Sequence, residues 1–375
     1  MRKLFFSNEG RFLGPLGIVC SLRMAVMLIL YHTFENSNHL VPPYQVYEKL
    51  SWNWLYLFST WDSAYYVGLA RSWYPSQFAL QWAFFPLYPI TIRGLASLGV
   101  DWWLSAFLVA TTCGLLSIPL FQRIAENYMD RTMAMKSTVT YFLFPWLFVF
   151  TAVSYSESLF LFLTLLTWFF HLRTHDRLSS ISAALASLTR SYGILIILPI
   201  IFDFIRRREY RKLSYTIPAM LAIAAWLAYS SVLTGRFLAP LAAQSYWQTS
   251  NSVALETNLG RLLSGNLHSI SNLSPYFKVI FGGIAFICFI LLLSAKAYKY
   301  DHNLGLYSLI STGLITAFGV FPAYLSVPRF LTFLFPIGLP LHSSNRIILI
   351  VALVLLLILD YVAWYAFLTN IFVFH

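Results

Sequence analysis

Two short segments place a carboxylate close to aromatic residues, a combination suited to acid–base chemistry on a hydroxyl group. Positions 61–66 read WDSAYY, and the aromatic segment AFFPLYP follows at positions 83–89. A carboxylate held among such rings at a membrane surface can act as general base for a hydroxyl nucleophile, which makes Asp62 a candidate catalytic residue. Taken alone, the position of Asp62 favours the N-cap of a helix that begins at Ser63, and the two roles are compatible. The neighbouring candidates for substrate binding are Trp61, Tyr65, Phe85 and Tyr88.

A second carboxylate, Glu157, lies in the sequence YSES at positions 155–158, at a turn between two apolar segments. It is the second candidate catalytic residue, because it would share one side of the membrane with Asp62. Its position also fits a carboxylate at a helix N-terminus, where the helix dipole favours negative charge. Spacing alone favours that structural role for Glu157.

Two arginines lie at membrane depth or at its boundary. Arg190 interrupts an apolar segment, and a cation in that layer usually faces a partner or a cavity. It could instead pair with Asp203 or with backbone carbonyls. Arg329 opens a short apolar segment, where it could hold a phosphate through charge-assisted hydrogen bonds. The alternative for Arg329 is ordinary snorkelling at the interface.

Gln244 and Trp247 follow in a later loop and could hydrogen-bond to and stack on a sugar ring, although such a pair is weak evidence alone. The motifs of several other enzyme classes, which bind metals or nucleotides, are absent from the sequence. The sequence contains no HExxH, no P-loop, no GxGxxG and no DxD. We therefore expect no metal and no cofactor. A sugar transferase without a nucleotide-binding domain must take its donor from the bilayer, as a polyprenyl-phosphate sugar.

The composition is that of a polytopic integral membrane protein. Of 375 residues, 59% are hydrophobic and only 10% are charged, and the mean hydropathy is +0.68. Soluble domains carry roughly 25% charged residues. The net charge of +11 is attributed to an excess of Lys and Arg in cytoplasmic loops rather than to nucleic-acid binding.

The elements that must position these residues are about nine membrane spans, each requiring roughly 20 apolar residues. The basic loops place two large loops, at about 32–102 and 234–276, on the non-cytoplasmic side. Asp62, Glu157, Gln244 and Arg329 should all lie on that side. The predicted spans are 12–31, 103–122, 137–153, 157–172, 215–233, 277–297, 304–321 and 346–368, with a shorter one at 330–341.

One apolar segment, 179–204, breaks the alternation of sides because both of its flanks are basic. A single span would put one basic cluster on the wrong side. The sequence therefore predicts a re-entrant hairpin that enters and leaves from the cytoplasmic face and turns near 188–193. Irregular backbone at membrane depth is tolerated where it lines protein or a cavity, so such a break favours a functional cavity.

Six motifs follow one another along the chain: WD at 61–62, AFFPLYP at 83–89, YSES at 155–158, TRSYG at 189–193, Gly235 to Trp247 and PRF at 328–330. In this order, the motifs resemble those of the PIG-V family, the second mannosyltransferase of GPI-anchor assembly, which also has prokaryotic relatives. The resemblance covers 61 to about 336 and is specific because six motifs agree in order. It implies an all-α GT-C glycosyltransferase that uses a dolichyl- or polyprenyl-phosphate sugar, with Asp62 as the catalytic carboxylate. RSYG at 190–193 replaces the more usual RSNG, so a prokaryotic-type relative acting on another glycolipid or glycan is an equal alternative.

The resulting prediction is one GT-C-like membrane domain over 1–375 that transfers mannose, with inversion, from the lipid-phosphate donor to a glycolipid or glycan on the non-cytoplasmic face. The membrane would be the plasma membrane in a prokaryote or the endoplasmic reticulum membrane in a eukaryote. A secondary transporter and a non-catalytic subunit of a glycosylation complex are the alternatives. The predicted site residues are Asp62 and Glu157 for catalysis, and Trp61, Tyr65, Phe85, Tyr88, Arg190, Gln244, Trp247 and Arg329 for substrate binding.

Overall fold

The computed structural model describes residues 13–36, 53–244, 269–319 and 327–369, and within these ranges the chain forms helices and no strand. The all-α prediction is thereby confirmed. The helices are α1 (Leu13–Asn36), α2 (Asp62–Ser72), α3 (Leu87–Ala96), α4 (Trp102–Ala125), α5 (Arg131–Phe142), α6 (Pro145–Phe150), α7 (Glu157–Leu172), α8 (Asp176–Ser187), α9 (Ile197–Arg206), α10 (Ile217–Thr234), α11 (Ser269–Ala297), α12 (His302–Gly319), α13 (Val327–Thr332) and α14 (Arg346–Thr369). Short 3₁₀ helices occupy Asn53–Leu57, Leu80–Ala83, Ser191–Ile196, Tyr210–Thr216 and Phe335–Gly338.

Four helices in the described ranges are long and apolar enough to cross a membrane: Gly14–Thr33, Trp102–Ala125, Tyr210–Thr234 and Arg346–Tyr365. They coincide with four of the predicted spans. Two further apolar helices, Glu157–Leu172 and Gly283–Ala297, are shorter. The chain is therefore a membrane protein with four candidate spans in its described part, and the count of nine stays a prediction.

The predicted continuous span at 137–153 is wrong, because the chain breaks there into α5 and α6. Phe144 has an extended backbone (ψ 128°) immediately before Pro145, which begins α6. A residue that precedes proline is disfavoured in the helical conformation by contact with the proline ring. Helix α6 ends at Phe150, and turns carry the chain to α7. This break places Phe150 and Tyr155 on irregular or short segments beside the functional site described below.

The segment that was predicted to form a hairpin does turn at the predicted place. Helix α8 ends at Ser187, Arg190 is extended (φ −153°, ψ 154°), and the 3₁₀ helix Ser191–Ile196 leads into α9. The 3₁₀ helix packs against the end of α8 so closely that a Cβ on Gly193 would lie 2.1 Å from the Ala186 carbonyl oxygen. The ends of the segment also meet, since Lys212 Nζ lies 3.4 Å from Asp176 Oδ2.

The described part of the large first loop, residues 53–101, contains α2, α3 and two 3₁₀ helices. Helices α2 and α3 pack against each other and against α4, which follows them. Their apolar side chains, among them Tyr66, Val67, Tyr88 and Ile92, are buried. Helix α4 in turn packs along α7, and α7 along α8. This arrangement brings the start of α2, the start of α7 and the turn after α8 to one end of the helix bundle.

Candidate functional site

Four charged side chains from distant parts of the chain form one ion-pair cluster, which we call the outer cluster: Asp62, Glu157, Arg190 and Arg329. Arg329 donates from Nη2 to Asp62 Oδ2 at 2.9 Å and from Nε to Glu157 Oε1. Arg190 Nη1 lies 2.7 Å from the same Glu157 oxygen. The sequence singled out all four residues separately, and the structure brings them together.

Both carboxylates occupy the first residue of a helix. Asp62 begins α2 and Glu157 begins α7, so each carboxylate lies at the positive end of a helix dipole. The N-cap of α2 is Trp61 and not Asp62, so the N-cap alternative for Asp62 is wrong. The carboxylate of Asp62 is left available for Arg329, and the backbone N–H of Asp62 donates to the Tyr155 hydroxyl at 3.1 Å.

Trp61 holds the start of α2 in an unusual backbone conformation, with φ 54° and ψ −119°. Positive φ is uncommon for a residue other than glycine, and such outliers cluster at functional sites. Surrounding contacts stabilise it, because the indole Nε1 of Trp61 donates to the carbonyl of Phe367 in α14 at 3.0 Å. Trp61 therefore fixes the start of α2, and with it the position of Asp62 in the outer cluster.

The four members differ in exposure. The side chain of Glu157 is 0% exposed and that of Arg329 is 3% exposed, whereas Arg190 is 11% and Asp62 is 20% exposed. Buried charges persist only when they are paired and hydrogen-bonded, and here two carboxylates face two guanidinium groups. Asp62 is thus the most exposed member of the outer cluster.

Aromatic rings flank both guanidinium groups. The Arg329 Cζ lies 4.7 Å from the ring centroid of Phe150 and 4.6 Å from that of Tyr155. The Arg190 Cζ lies 4.8 Å from the centroid of Phe330. Guanidinium groups are attracted to aromatic faces at such distances. The rings hold the two cations in a dry environment, where they attract an anion more strongly than in water.

Two further polar residues support the cluster, and sequence reasoning missed both as site residues. The hydroxyls of Tyr66 and Ser156 lie 2.7 Å apart, and Arg190 Nη1 donates to Ser156 Oγ at 3.3 Å. Burial raises the pKa of Tyr66, and Arg190 acts in the opposite direction, so the hydroxyl stays neutral at physiological pH. Tyr66 could have been found from its spacing, because it follows Asp62 by four positions on one helix.

The predicted aromatic contacts divide into a surface group and a core group. Tyr65 is half-buried and stacks on Phe84 with centroids 5.0 Å apart, next to Asp62 along α2. Tyr88 is fully buried and donates to the Ala106 carbonyl at 2.8 Å, and Phe85 is also buried. Tyr65 is thus the most exposed of the three, whereas Phe85 and Tyr88 are buried in the core. Their roles in substrate binding stay predictions.

Gln244 is half-buried at the end of a helical turn at 239–244. Within the described part of the chain it makes no hydrogen bond or ion pair with the outer cluster. Trp247 lies outside the described residues. The predicted contribution of Gln244 and Trp247 to sugar binding therefore stays a prediction.

The alternative partner considered for Arg190, Asp203, belongs to a different group at the other end of α7. There Asp203 pairs with His171, Arg206 and Arg207, at distances between 2.8 and 3.1 Å. The structure thus assigns Arg190 to Glu157. Among the described residues, no group of three or more His, Cys, Asp or Glu side chains is arranged to hold a metal ion.

The outer cluster lies on a membrane protein whose sequence matches the family model described as mannosyltransferase (PIG-V) over residues 21–260. That range covers more than half of the 375 residues. The chain belongs to the PIG-V mannosyltransferase family. It is therefore a glycosyltransferase, and the resemblance drawn from its motifs is confirmed. No curated protein matches the chain, and no solved structure does.

The family match contains three members of the outer cluster, Asp62, Glu157 and Arg190, and ends before Arg329. In this PIG-V family member, Arg329 is linked to the other three by its ion pairs with Asp62 and Glu157. The geometry thus extends the site beyond the matched region.

Proposed function

We propose that this PIG-V family member transfers mannose from a polyprenyl- or dolichyl-phosphate donor to a hydroxyl of a glycolipid or glycan acceptor, with inversion, on the non-cytoplasmic face of the membrane. The observation that carries the proposal is the outer cluster. It combines a partly exposed carboxylate, Asp62, with two buried guanidinium groups, those of Arg190 and Arg329, on a mannosyltransferase chain.

The two arginines supply the phosphate site. A guanidinium group offers two parallel N–H donors that match two phosphate oxygens, and it keeps its charge when desolvated. The flanking rings limit the access of water, which would otherwise hydrolyse the donor. A narrow apolar cleft lined by Trp146, Val149, Phe150, Ala363 and Phe367 lies between α6 and α14. Phe150, which lines this cleft, also contacts the Arg329 guanidinium group.

Asp62 serves as the general base in a single displacement. Its carboxylate accepts the proton of the acceptor hydroxyl while that oxygen attacks C1 of mannose. The bond between C1 and the phosphate oxygen breaks, and the polyprenyl phosphate leaves with the electron pair. Because the family resemblance implies a β-linked donor and an α-linked product, one displacement inverts C1. Phosphate is a good leaving group, so no protonating acid is required, and Glu157 is left to hold the two arginines.

The ends of α7 support the proposed sidedness. Glu157 lies at its first residue, and the basic segment 206–212 lies beside its last, where His171 contacts Asp203. Sixteen helical residues separate those ends by about 24 Å at 1.5 Å per residue. Basic residues mark the cytoplasmic side, so the outer cluster falls on the opposite side. The hairpin geometry is consistent with this, because the tie between Asp176 and Lys212 keeps both flanks on one side.

We retain the GT-C-like arrangement of about nine spans with a re-entrant hairpin, in the plasma membrane of a prokaryote or the endoplasmic reticulum membrane of a eukaryote, as part of the proposal. A secondary transporter is disfavoured because the charged clusters lie at the two ends of α7 and not at its middle. Membership of an enzyme family disfavours a non-catalytic subunit.

The test is transfer by purified protein in lipid vesicles, using polyprenyl phosphate carrying radiolabelled mannose. We expect label to pass to a glycolipid or glycan extracted from the native membrane, with an α-linkage and with activity that survives a chelator. Asp101→Asn is a matched control, because Asp101 caps α4 and asparagine caps a helix equally well. Transfer that the Asp62→Asn variant retains in full would remove Asp62 as the base, and loss on chelation would replace this mechanism by a metal-assisted one.

A further inference from the structure

In the outer cluster, the carboxylates of the protein already accept from two atoms of the Arg329 guanidinium group. Its Nε donates to Glu157 and its Nη2 donates to Asp62, so both acceptors on these atoms are carboxylates of the protein. Two carboxylates and two guanidinium groups are formally neutral together. An incoming phosphate anion must therefore either add an uncompensated negative charge to a buried site or take the place of one carboxylate.

The two carboxylates are not equally replaceable. Glu157 is fully buried and binds both Arg190 and Arg329 through one oxygen, so its departure would leave two buried cations with one partner. Asp62 is one-fifth exposed and holds Arg329 through a single ion pair. Displacing the Asp62 carboxylate from Arg329 therefore costs less free energy than displacing the Glu157 carboxylate.

We propose that the carboxylate of Asp62 and the phosphate of the lipid donor exchange on Arg329. Without donor, Asp62 occupies the phosphate position at Nη2 and is held away from the acceptor. When the phosphate binds, it takes the Nη2 donor, Glu157 keeps both arginines in place, and Asp62 is released to receive the acceptor proton. This inference rests on the proposed function, in which Asp62 is the base and Arg329 binds the phosphate.

The exchange sets an order of binding. Acceptor that arrives first meets a carboxylate already engaged with Arg329, so productive binding of the acceptor follows that of the donor. The site takes the phosphate anion of a polyprenyl lipid, and the released polyprenyl phosphate competes with new donor for Arg329. Glu157 acts as a positioning residue, since it contacts the arginines and not the reacting atoms.

The test compares the affinity of polyprenyl phosphate for the wild type, Asp62→Asn and Asp101→Asn, all purified in the same nanodiscs. Removing the competing carboxylate should tighten binding of polyprenyl phosphate by about tenfold, the size expected for loss of one competing charge-assisted hydrogen bond. Asp101→Asn, which removes one negative charge but no contact with Arg329, should bind like the wild type. Unchanged or weaker binding to Asp62→Asn would overturn the exchange.

The two proposals fail separately. If Asp62→Asn loses transfer but binds polyprenyl phosphate no more tightly, the exchange is wrong and the general-base role stands. If Asp62→Asn transfers mannose normally, the proposed function itself is wrong. A second measurement needs no variant: initial rates of the wild type should show donor binding before acceptor, with polyprenyl phosphate competitive against the donor. A random-order pattern would overturn the exchange.

Discussion

The two ends of helix α7 carry two buried charge clusters that are built in opposite ways. At the far end, which we call the inner cluster, Asp203 accepts hydrogen bonds from His171, Arg206 and Asn303 and forms an ion pair with Arg207. Both of its carboxylate oxygens are satisfied. Two of these partners lie three and four positions along the chain, and their side chains are 58% and 51% exposed.

The outer cluster gathers its members from positions 62, 157, 190 and 329, and its two arginines are almost fully buried. Glu157 Oε2 has no hydrogen-bond partner among the described residues, and Asp62 remains partly exposed. In the inner cluster, both carboxylate oxygens of Asp203 are hydrogen-bonded, and the two arginine side chains are half exposed to solvent. The outer cluster is assembled at high desolvation cost and keeps unused binding capacity, which is the pattern of a site that receives a ligand.

The largest effect that would sharpen this comparison is the replacement of Asp62 by asparagine. We expect turnover to fall by about 10²–10⁴-fold, because general-base catalysis typically contributes that much. Folding should survive, since asparagine keeps the size of the side chain. Single-turnover transfer with labelled donor measures the loss, and thermal unfolding checks the fold. A fall in turnover of less than about threefold would show that Asp62, like Asp203 in the inner cluster, has only a structural role.

Glu157→Gln should have the next largest effect, on stability as well as transfer. Leaving two buried guanidinium groups with one carboxylate should destabilise the protein by about 3–5 kcal/mol. Glu126→Gln is the matched control, because Glu126 pairs with Arg123 near the surface, where a pair contributes at most about 1 kcal/mol. Chemical unfolding in detergent gives both values. Equal destabilisation by the two variants would contradict the anchoring role of Glu157.

Arg329→Lys should weaken donor use while the protein still folds. Lysine keeps the charge but cannot bind Asp62 and Glu157 together through a planar fork. We expect the donor KM to rise by roughly 10- to 100-fold, with a smaller change in kcat. Arg211→Lys, at an exposed arginine, provides the comparison. A donor KM within error of the wild-type value would remove Arg329 from the phosphate site.

The smallest effect on transfer should come from the inner cluster. Burial alone would raise the pKa of Asp203, but the His171 hydrogen bond and the nearby arginines lower it to about 2. The stabilisation is therefore fully present above the unfolded pKa of about 3.9 and is lost as the pH falls towards 2. Asp203→Asn should lower the free energy of unfolding at neutral pH by about 2 kcal/mol. It should also reduce the change of that free energy with pH between roughly pH 4 and 2. Transfer at neutral pH should persist, and its loss would show that both clusters serve catalysis.

Much of the fold around the site could be predicted from the sequence. The membrane class followed from composition, and the hairpin turn followed from basic residues on both flanks of 179–204. The break at Pro145 could also have been predicted, because a residue before proline is disfavoured in the helical conformation. The continuous apolar sequence around Pro145 favoured an unbroken span instead.

The pairings could not be predicted. Asp62 and Arg329 lie 267 positions apart, and no local pattern records that their side chains meet. Helix capping and snorkelling explained Asp62, Glu157 and Arg329 individually, and only the tertiary packing of α2, α7 and α13 distinguishes those roles from a shared site. Ser156 was overlooked because a serine beside a glutamate is also an ordinary helix start.

The bond from the Trp61 indole to the Phe367 carbonyl has a consequence for biosynthesis. These residues are 306 positions apart, so roughly 15–60 s pass between their translation at about 5–20 residues per second. During that interval the start of α2 lacks its anchor and Asp62 lacks Arg329. Under the proposed mechanism, the chain therefore gains transfer activity only after α14 has docked against the start of α2.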